Sequence, residues 1–436
     1  MLAMGLLTAC TKNDSEETTV PTNPEVPETP ANPETPIVPD SNEVVMMLPT
    51  TQPISLTDEQ KALIQGNNDF SFNLFRTVEQ LAEKKQSNAL SPISVTYVMG
   101  MLNDGADGNT AQEITSVLGF GGSDVVTVNQ LCQNMIEGLP LVDPTVSLTM
   151  ANYIATNKDV ILEDQFKKDM DTYYHAETAS LDFSLPEAIQ TINDWCSRQT
   201  DGKITDMIKE IDASAILVLL NAVNFKATWT ENFDPLDTKT ESFTNDDNFK
   251  ISMPMMHRMA EILYQANDTY ASVYLPYGGR DPKWGMTVLL PNEGKTVEDI
   301  INSLTATGWK ESRDRMKPAI VDIKIPRFKT ASTNYLEQSI ASLGAPSVFD
   351  PVNANLSRIS VNYKDIFVSR MLQKAAIEVN EKGTELVAVT ATVTDGANPS
   401  NDLYDFHANR PFAYVIQEAS SGAIFFIGTF RGENAE

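Results

Sequence analysis

Apolar residues recur at helical spacing in the first half of the chain and at strand spacing in the second half. Phe70, Leu74, Val78 and Leu81 lie three or four positions apart, which predicts an amphipathic helix packed on a core. Later in the chain, short runs rich in β-forming residues cover 216–227, 273–275, 286–290, 321–325, 412–416 and 424–430. Helices followed by strands indicate an α+β fold rather than regular βαβ winding.

A long β-forming pattern lies in the run NEKGTELVAVTATVT at 380–394, where a compact protein would normally have a loop. After Glu385 it contains no charged residue, proline or glycine before Asp395, so both of its faces suit the interior of a sheet. Residues 374–380 already predict one strand, and the residues after the run have turn and loop chemistry. Gly383 lies between the two strand-like pieces and is free to act as a hinge. An ordinary hairpin or surface strand is the alternative.

Composition and charge limit the organisation of the chain and its partners. The chain has 436 residues, and no second break in composition follows residue 56, so we predict one folded domain over 56–436. Its 32 basic and 59 acidic residues give a net charge of −27. Because this charge repels polyanions, nucleic acid is excluded as an expected partner.

Cysteines and histidines are few and scattered, so we predict no metal and no cofactor. Cys132 and Cys196 lie in apolar, helical contexts that favour buried thiols, with a bridge between the two as the alternative. His175, His257 and His407 are far apart in the sequence and match no ligand spacing.

Catalytic signatures are missing from the sequence, so the protein is not expected to be an enzyme. The patterns G-x-S-x-G, H-E-x-x-H and the P-loop are absent. A surface hydrolase with a dispersed Ser–His–Asp triad remains the alternative, because triad residues are adjacent only in space. Such a triad would have to use one of the three histidines.

The first ten residues end in Leu-Thr-Ala-Cys, which resembles the lipobox of bacterial lipoproteins. We therefore predict a lipoprotein-type signal over 1–10 and lipidation at Cys10, with a chance cysteine as the alternative. The nine residues before Cys10 include no lysine or arginine. We expect either a start further upstream or a truncated leader.

Residues 11–55 are rich in proline, glutamate and threonine and predict a disordered spacer. Prolines fall at every third position from Pro21 to Pro39, which matches the three-residue turn of polyproline II. These nineteen residues would span roughly 60 Å. The sequence thus predicts a cell-envelope lipoprotein, anchored to the outer membrane and facing the periplasm or the exterior. No later apolar run is long enough to span a bilayer.

A series of short motifs, taken in order along the predicted domain, resembles the serpin family. The motifs are NALSPIS at 88–94, MLNDGA at 101–106, TAQEI at 110–114, INDW at 192–195, GKI at 202–204, LNAVNFKATW at 220–229, LPY at 275–277, LP at 290–291, PRF at 326–328 and NRPF at 409–412. One such match is weak, but this many in order is specific. The resemblance implies an α+β, serpin-like fold with about three β-sheets, a bundle of helices and an exposed reactive-centre loop.

In that family the loop is bait for a protease, and after cleavage it inserts into the large sheet with the protease covalently attached. The resemblance therefore implies an inhibitor of serine proteases that acts as a suicide substrate. Cysteine proteases stay open as targets, since trapping depends on an acyl intermediate. A monomer is expected. The hinge of the loop would comprise Glu381, Gly383, Thr384, Glu385, Leu386, Val387, Ala388, Val389 and Thr390.

The family's usual spacing places the scissile bond between Ala397 and Asn398, sixteen residues after Glu381. Ala397 suits the small apolar primary pocket of an elastase-like or subtilisin-like protease. Val393 and Thr394 are secondary cleavage sites for a broad-specificity protease.

The motifs also assign residues to the sheet that would receive the loop. Its shutter and breach would consist of Ser91, Ser94, Asn221, Trp229 and Gln373. Gln373 stands where the family typically has a histidine. We expect the shutter to be altered but not broken, because the Gln373 side-chain amide still donates and accepts hydrogen bonds.

The insertable segment departs from the family in one respect that leaves an alternative open. Alternate residues from Thr384 to Thr394 would face the core, and none of them is charged. However, 386–389 reads Leu-Val-Ala-Val where inhibitory members have mostly small residues. Slow insertion would favour the alternative function, a non-inhibitory serpin-fold binding protein whose loop is cleaved as a substrate.

Overall fold

The computed structural model describes residues 51–82, 85–279, 281–384 and 400–433, without the side chains of 400–402. The helices are α1 Asp58–Leu81, α2 Pro92–Gly105, α3 Gly108–Val117, α4 Val125–Val142, α5 Asp164–Tyr174, α6 Pro186–Gln199, α7 Val297–Ser303, α8 Ala306–Asp314, α9 Glu337–Leu343 and a 3₁₀ helix Pro346–Phe349.

The strands are β1 Asn88–Leu90, β2 Ser147–Asn157, β3 Glu177–Leu181, β4 Leu217–Thr228, β5 Lys239–Thr244, β6 Lys250–Ala266, β7 Tyr270–Tyr277, β8 Trp284–Pro291, β9 Lys317–Pro326, β10 Phe328–Tyr335, β11 Val368–Asn380, β12 Gly383–Thr384, β13 Ser400–His407, β14 Phe412–Glu418 and β15 Ile424–Phe430. All six runs predicted from β-forming residues lie in these strands, except that Ile216 precedes the first residue of β4. The predicted strand 374–380 is the end of β11.

Helix α1 is the amphipathic helix predicted from the hydrophobic spacing. It begins with a capping box, in which the Thr57 hydroxyl accepts from the Gln60 amide and the Gln60 side chain accepts from the Thr57 amide. Phe70, Leu74 and Val78 on its apolar face are buried, whereas Leu81, the last residue of the helix, is 40% exposed and does not pack on the core as predicted.

Six strands form the sheet that matters most for function, in the order β10-β11-β12-β4-β2-β3. Strands β11 and β4 are long, and they pair in parallel from Val368 with Leu217 to Ala376 with Asn224. The two-residue strand β12 lies between them at the end where this pairing stops.

The other nine strands form one continuous sheet rather than the two that the expected count of about three sheets implies. They join because β6 is 17 residues long and pairs with different strands along its length. Its middle pairs with β9 and its last residues with β7. Divided at β6, this sheet yields the second and third sheets of the expected fold.

The main core lies between the two sheets and includes α1 and α2, and a smaller one lies under α6. Cys132 and Cys196 are buried, and both are free thiols, so the alternative of a bridge between them is wrong. Burial raises the pKa of each thiol to about 12. Within the described part of the chain, no helix is both long and apolar enough to cross a membrane.

Candidate functional site

The predicted hinge begins inside the six-stranded sheet. Gly383 and Thr384 form strand β12, which pairs antiparallel with β11 on one side and with β4 on the other. Thr384 lies opposite Val379 of β11 and Ala227 of β4, and all three are buried. Two residues of the run at 380–394, Gly383 and Thr384, therefore already occupy a central position in the sheet.

Gly383 sits where no other residue fits. Its φ angle is +135°, a backbone conformation that residues with a side chain rarely adopt. A Cβ atom at this position would lie 2.2 Å from the Ala227 carbonyl oxygen and 2.7 Å from the Thr228 Cα. The hinge glycine thus lets the chain turn and press against the backbone of β4.

Aromatic residues contact the hinge at the end of the sheet where β12 separates β11 from β4. The Tyr277 and Thr384 hydroxyls lie 2.8 Å apart in a buried hydrogen bond. The Trp229 ring stacks on Tyr277 with ring centres 4.4 Å apart, and its indole N–H donates to the Asn380 carbonyl at 2.9 Å. The Trp229 amide also donates to the Lys382 carbonyl. Trp229, predicted to lie at the breach, contacts the turn that precedes β12.

The Glu381 carboxylate anchors the same turn. It accepts hydrogen bonds from Arg327 at 2.5 Å and from the Thr238 hydroxyl at 2.7 Å. Burial of Glu381 raises its pKa, but these hydrogen bonds outweigh burial and hold the pKa below its usual value. The sequence did not identify Arg327 or Tyr277 as partners of the hinge, although both lie in motifs that matched the family.

The predicted shutter residues meet in one buried hydrogen-bond network. The Gln373 carbonyl accepts from the Ser91 amide at 2.8 Å. Its NH₂ group lies 2.7 Å from the Ser94 hydroxyl and 3.2 Å from the Asn221 side-chain oxygen. The Ser94 hydroxyl in turn donates to Asn221 at 2.7 Å. This network joins β11, β4 and the start of α2, and Gln373 is fully buried in it.

The remaining predicted site residues lie outside the described residues. They are Glu385, Leu386, Val387, Ala388, Val389, Thr390, Ala397, Asn398 and Cys10. Their assignments as hinge, scissile bond and lipidation site stay predictions.

Two of the three histidines meet at one carboxylate, which the sequence spacing did not indicate. His257 and His407 place their Nε2 atoms 2.6 and 3.0 Å from different oxygens of Asp322. Burial raises the Asp322 pKa, but the hydrogen bonds to both rings outweigh burial and lower it. A His–Asp pair is part of a hydrolase triad, yet among the described hydrogen bonds neither ring contacts a serine hydroxyl or a thiol.

Comparison with known proteins agrees with the family resemblance of the motifs over most of the chain. Residues 65–432 match the family model described as serpin, serine protease inhibitor. Human Serpin B3 is 32% identical over 395 residues, which cover 85% of this chain and 99% of that protein.

Two solved structures are similar in fold. The native state of the thermophilic serpin Tengpin has a TM-score of 0.78 and 26% identity, and the match covers 87% of this chain and 97% of Tengpin. Human thyroxine-binding globulin has a TM-score of 0.77 and 27% identity, and the match covers 85% of this chain and 98% of the globulin.

Proposed function

The chain belongs to the serpin family, and we propose that it inhibits serine proteases by suicide-substrate trapping, with elastase-like or subtilisin-like enzymes as targets. The nucleophile of the protease attacks the Ala397–Asn398 bond, and this chain contributes no catalytic residue. Trapping requires the segment before that bond to enter the sheet while the acyl intermediate persists. Since the acyl intermediate is essential and the serine is not, cysteine proteases are open to the same inhibition.

The position of β12 carries this proposal. Thr384 already pairs with both β11 and β4, so the residues after it can continue down the sheet in the same register. Continued pairing would place Thr390 between Gln373 and Asn221, and Thr394 beside Leu217. Leu217 is where the pairing of β4 with β11 begins. The uncharged run thus has the length needed to replace that pairing completely.

Insertion in this register has a favourable energy balance. One β11–β4 ladder would be replaced by two ladders, one on each side of the inserted strand. The gain is about one hydrogen bond for each of the ten residues 385–394. At about 1 kcal/mol net per bond, this amounts to on the order of 10 kcal/mol. This energy is comparable to the stability of a whole domain.

The alternative function rests on Leu386. In the extended register it would lie between Phe225 and Ile377, both buried in the main core. Overfilling a packed core costs about 1–3 kcal/mol and would slow insertion. A non-inhibitory binding protein whose loop is merely cleaved would result. The similarity to thyroxine-binding globulin supports keeping this alternative.

Denaturing gel electrophoresis of the full chain after incubation with an elastase tests the proposal. We expect a band near the summed masses that survives boiling, and a released peptide that begins at Asn398. Complete cleavage without that band, for a panel of serine and cysteine proteases, would establish the binding-protein alternative.

Two matched variants test whether insertion causes the trapping. Thr390→Lys would place a charge between Gln373 and Asn221 in the buried network, so cleavage should continue while the adduct disappears. Val387→Lys is the control, because in the same register its side chain faces the other side of the sheet. Its neighbours there, Asn224 and Ala376, are only half-buried. If both variants trap the protease equally, insertion in this register is wrong.

We further propose that Cys10 is lipidated and that residues 11–55 hold the domain away from the outer membrane, in the periplasm or outside the cell. The support is the lipobox-like sequence and the proline spacing alone. Partition of the expressed chain into detergent, lost in Cys10→Ser, would test the anchor. We also propose a monomer, which light scattering of the unmodified chain would test.

A further inference from the structure

Three strands of the nine-stranded sheet present a cluster of metal-ligating side chains on one face. Asp322 lies on β9 between His257 of β6 and His407 of β13. Asp405 of β13 lies directly opposite Asp322 in the strand pairing. Ligand atoms of Asp322, Asp405 and His407 all lie within 4.8 Å of one another. Phe406, the residue between Asp405 and His407, is buried, so the two flanking side chains share the outer face.

The charges in this cluster favour a bound cation. Like charges directly opposite in a strand pair repel each other, and Asp322 and Asp405 are such a pair. Among the salt bridges of the described residues, no lysine or arginine contacts either carboxylate. Lys324, two residues further along β9, is instead paired with Glu241 at 2.7 Å.

We propose that Asp322, Asp405 and His407 bind a divalent transition-metal ion, with Zn²⁺ the best match. Carboxylate oxygen and imidazole nitrogen are both Zn²⁺ ligands, at about 2.0–2.2 Å. Two ligand atoms of one ion are therefore at most roughly 4.4 Å apart. Small side-chain rotations would bring the three groups from their present spacing to this distance. Three protein ligands leave a fourth position for water.

His257 is a positioning residue in this site. Its Nε2 atom lies 2.6 Å from one oxygen of Asp322, so it holds the carboxylate in a fixed orientation. Such outer contacts typically change metal affinity by about 10- to 100-fold.

The bound ion would fasten β13 to β9. Among the described strands β13 is an edge strand that pairs with β9 alone. It begins at Ser400, two residues after the predicted Asn398. The metal would therefore anchor the chain on the C-terminal side of the loop. The site does not depend on the proposed inhibition, and its test below needs no protease.

Calorimetric titration of the full chain with ZnCl₂ after removal of metals tests the site. We expect one specific ion per chain and, on binding, slower amide hydrogen exchange in 400–407. His407→Ala and the near-isosteric Asp405→Asn should each weaken binding at least tenfold, and His257→Gln about tenfold. His175→Asn is the matched control, because His175 is an exposed histidine at the end of α5 with φ +47°, which asparagine tolerates.

The outcomes distinguish specific binding at Asp322, Asp405 and His407 from adventitious binding elsewhere on the surface. Loss of affinity in Asp405→Asn and His407→Ala, with His175→Asn unchanged, supports the proposal. Equal affinity in wild type, Asp405→Asn and His407→Ala overturns it, as does an equal loss in His175→Asn. Melting temperatures measured in a chelator establish that each variant is folded, and unchanged exchange in 400–407 on Zn²⁺ binding would place the ion elsewhere.

Discussion

Gln373 of β11 donates a hydrogen bond to the Asn221 side chain of β4 at 3.2 Å, at the level that Thr390 would reach on insertion. This hydrogen bond helps to hold β11 and β4 side by side in the structure. It must break for the loop to pass, because the inserted strand would lie between these two residues. The same amide also contacts Ser91 and Ser94, so opening the sheet disturbs the start of α2.

We expect Gln373→Ala to lower the free energy of unfolding by about 2–3 kcal/mol, because it leaves buried polar partners without hydrogen bonds. Urea unfolding measures this loss. The control is Lys374→Ala, which removes an ion pair with the exposed Asp206 on the opposite face and should cost about 1 kcal/mol or less. A loss no greater than that of the control would mean that the network does not hold the sheet closed.

We expect Gly383→Ala to expel the hinge from the sheet, because the added Cβ would lie 2.2 Å from the Ala227 carbonyl oxygen. Amide exchange at Thr384 should become fast, and trapping should give way to substrate cleavage. Gly294→Ala is the control, because Gly294 also has positive φ, +76°, but has open space around its Cβ position. If both variants behave alike, general destabilisation and not the contact with β4 explains the effect.

Glu381 should stabilise the hinge at neutral pH and lose that effect in acid. Its folded-state pKa lies below the usual value of a glutamate, so its contribution is fully present above that usual value and is lost as the pH falls through the lowered pKa. Glu381→Gln should lower the free energy of unfolding by about 1–2 kcal/mol at pH 7. The difference from wild type should shrink below about pH 4.

Urea unfolding across this pH range checks the Glu381 prediction. Glu378→Gln changes an exposed carboxylate on β11, three residues before Glu381, and serves as the control. A pH-independent difference between wild type and Glu381→Gln would show that packing and not ionisation is responsible.

Leu386→Ala should raise the fraction of protease that is trapped rather than released, because it removes bulk between Phe225 and Ile377 in the extended register. The number of inhibitor molecules consumed per protease inhibited measures this partition. Val387→Ala is the control: Val387 follows Leu386 but would face the other side of the sheet, so its truncation should leave the partition unchanged. A higher consumption in Leu386→Ala would contradict the proposed register.

Much of this protein follows from local sequence. The spacing of Phe70, Leu74 and Val78 predicts α1 because a helix repeats every 3.6 residues. Runs of β-forming residues predict the strands, in which successive side chains alternate between the two faces of a sheet. The family motifs also identified Ser91, Ser94, Asn221 and Gln373 as one group, and in the structure they share one hydrogen-bond network.

Only the tertiary structure decided which distant residues meet. Arg327 contacts Glu381, and Tyr277 contacts Thr384, because strands far apart in the sequence meet near β12. His257, Asp322 and His407 come together through the pairing of three strands. A hydrophobic pattern determines which face of an element is buried, but strand order and register determine its neighbours. Contacts of this kind arise from pairing between strands, which no spacing within one segment encodes.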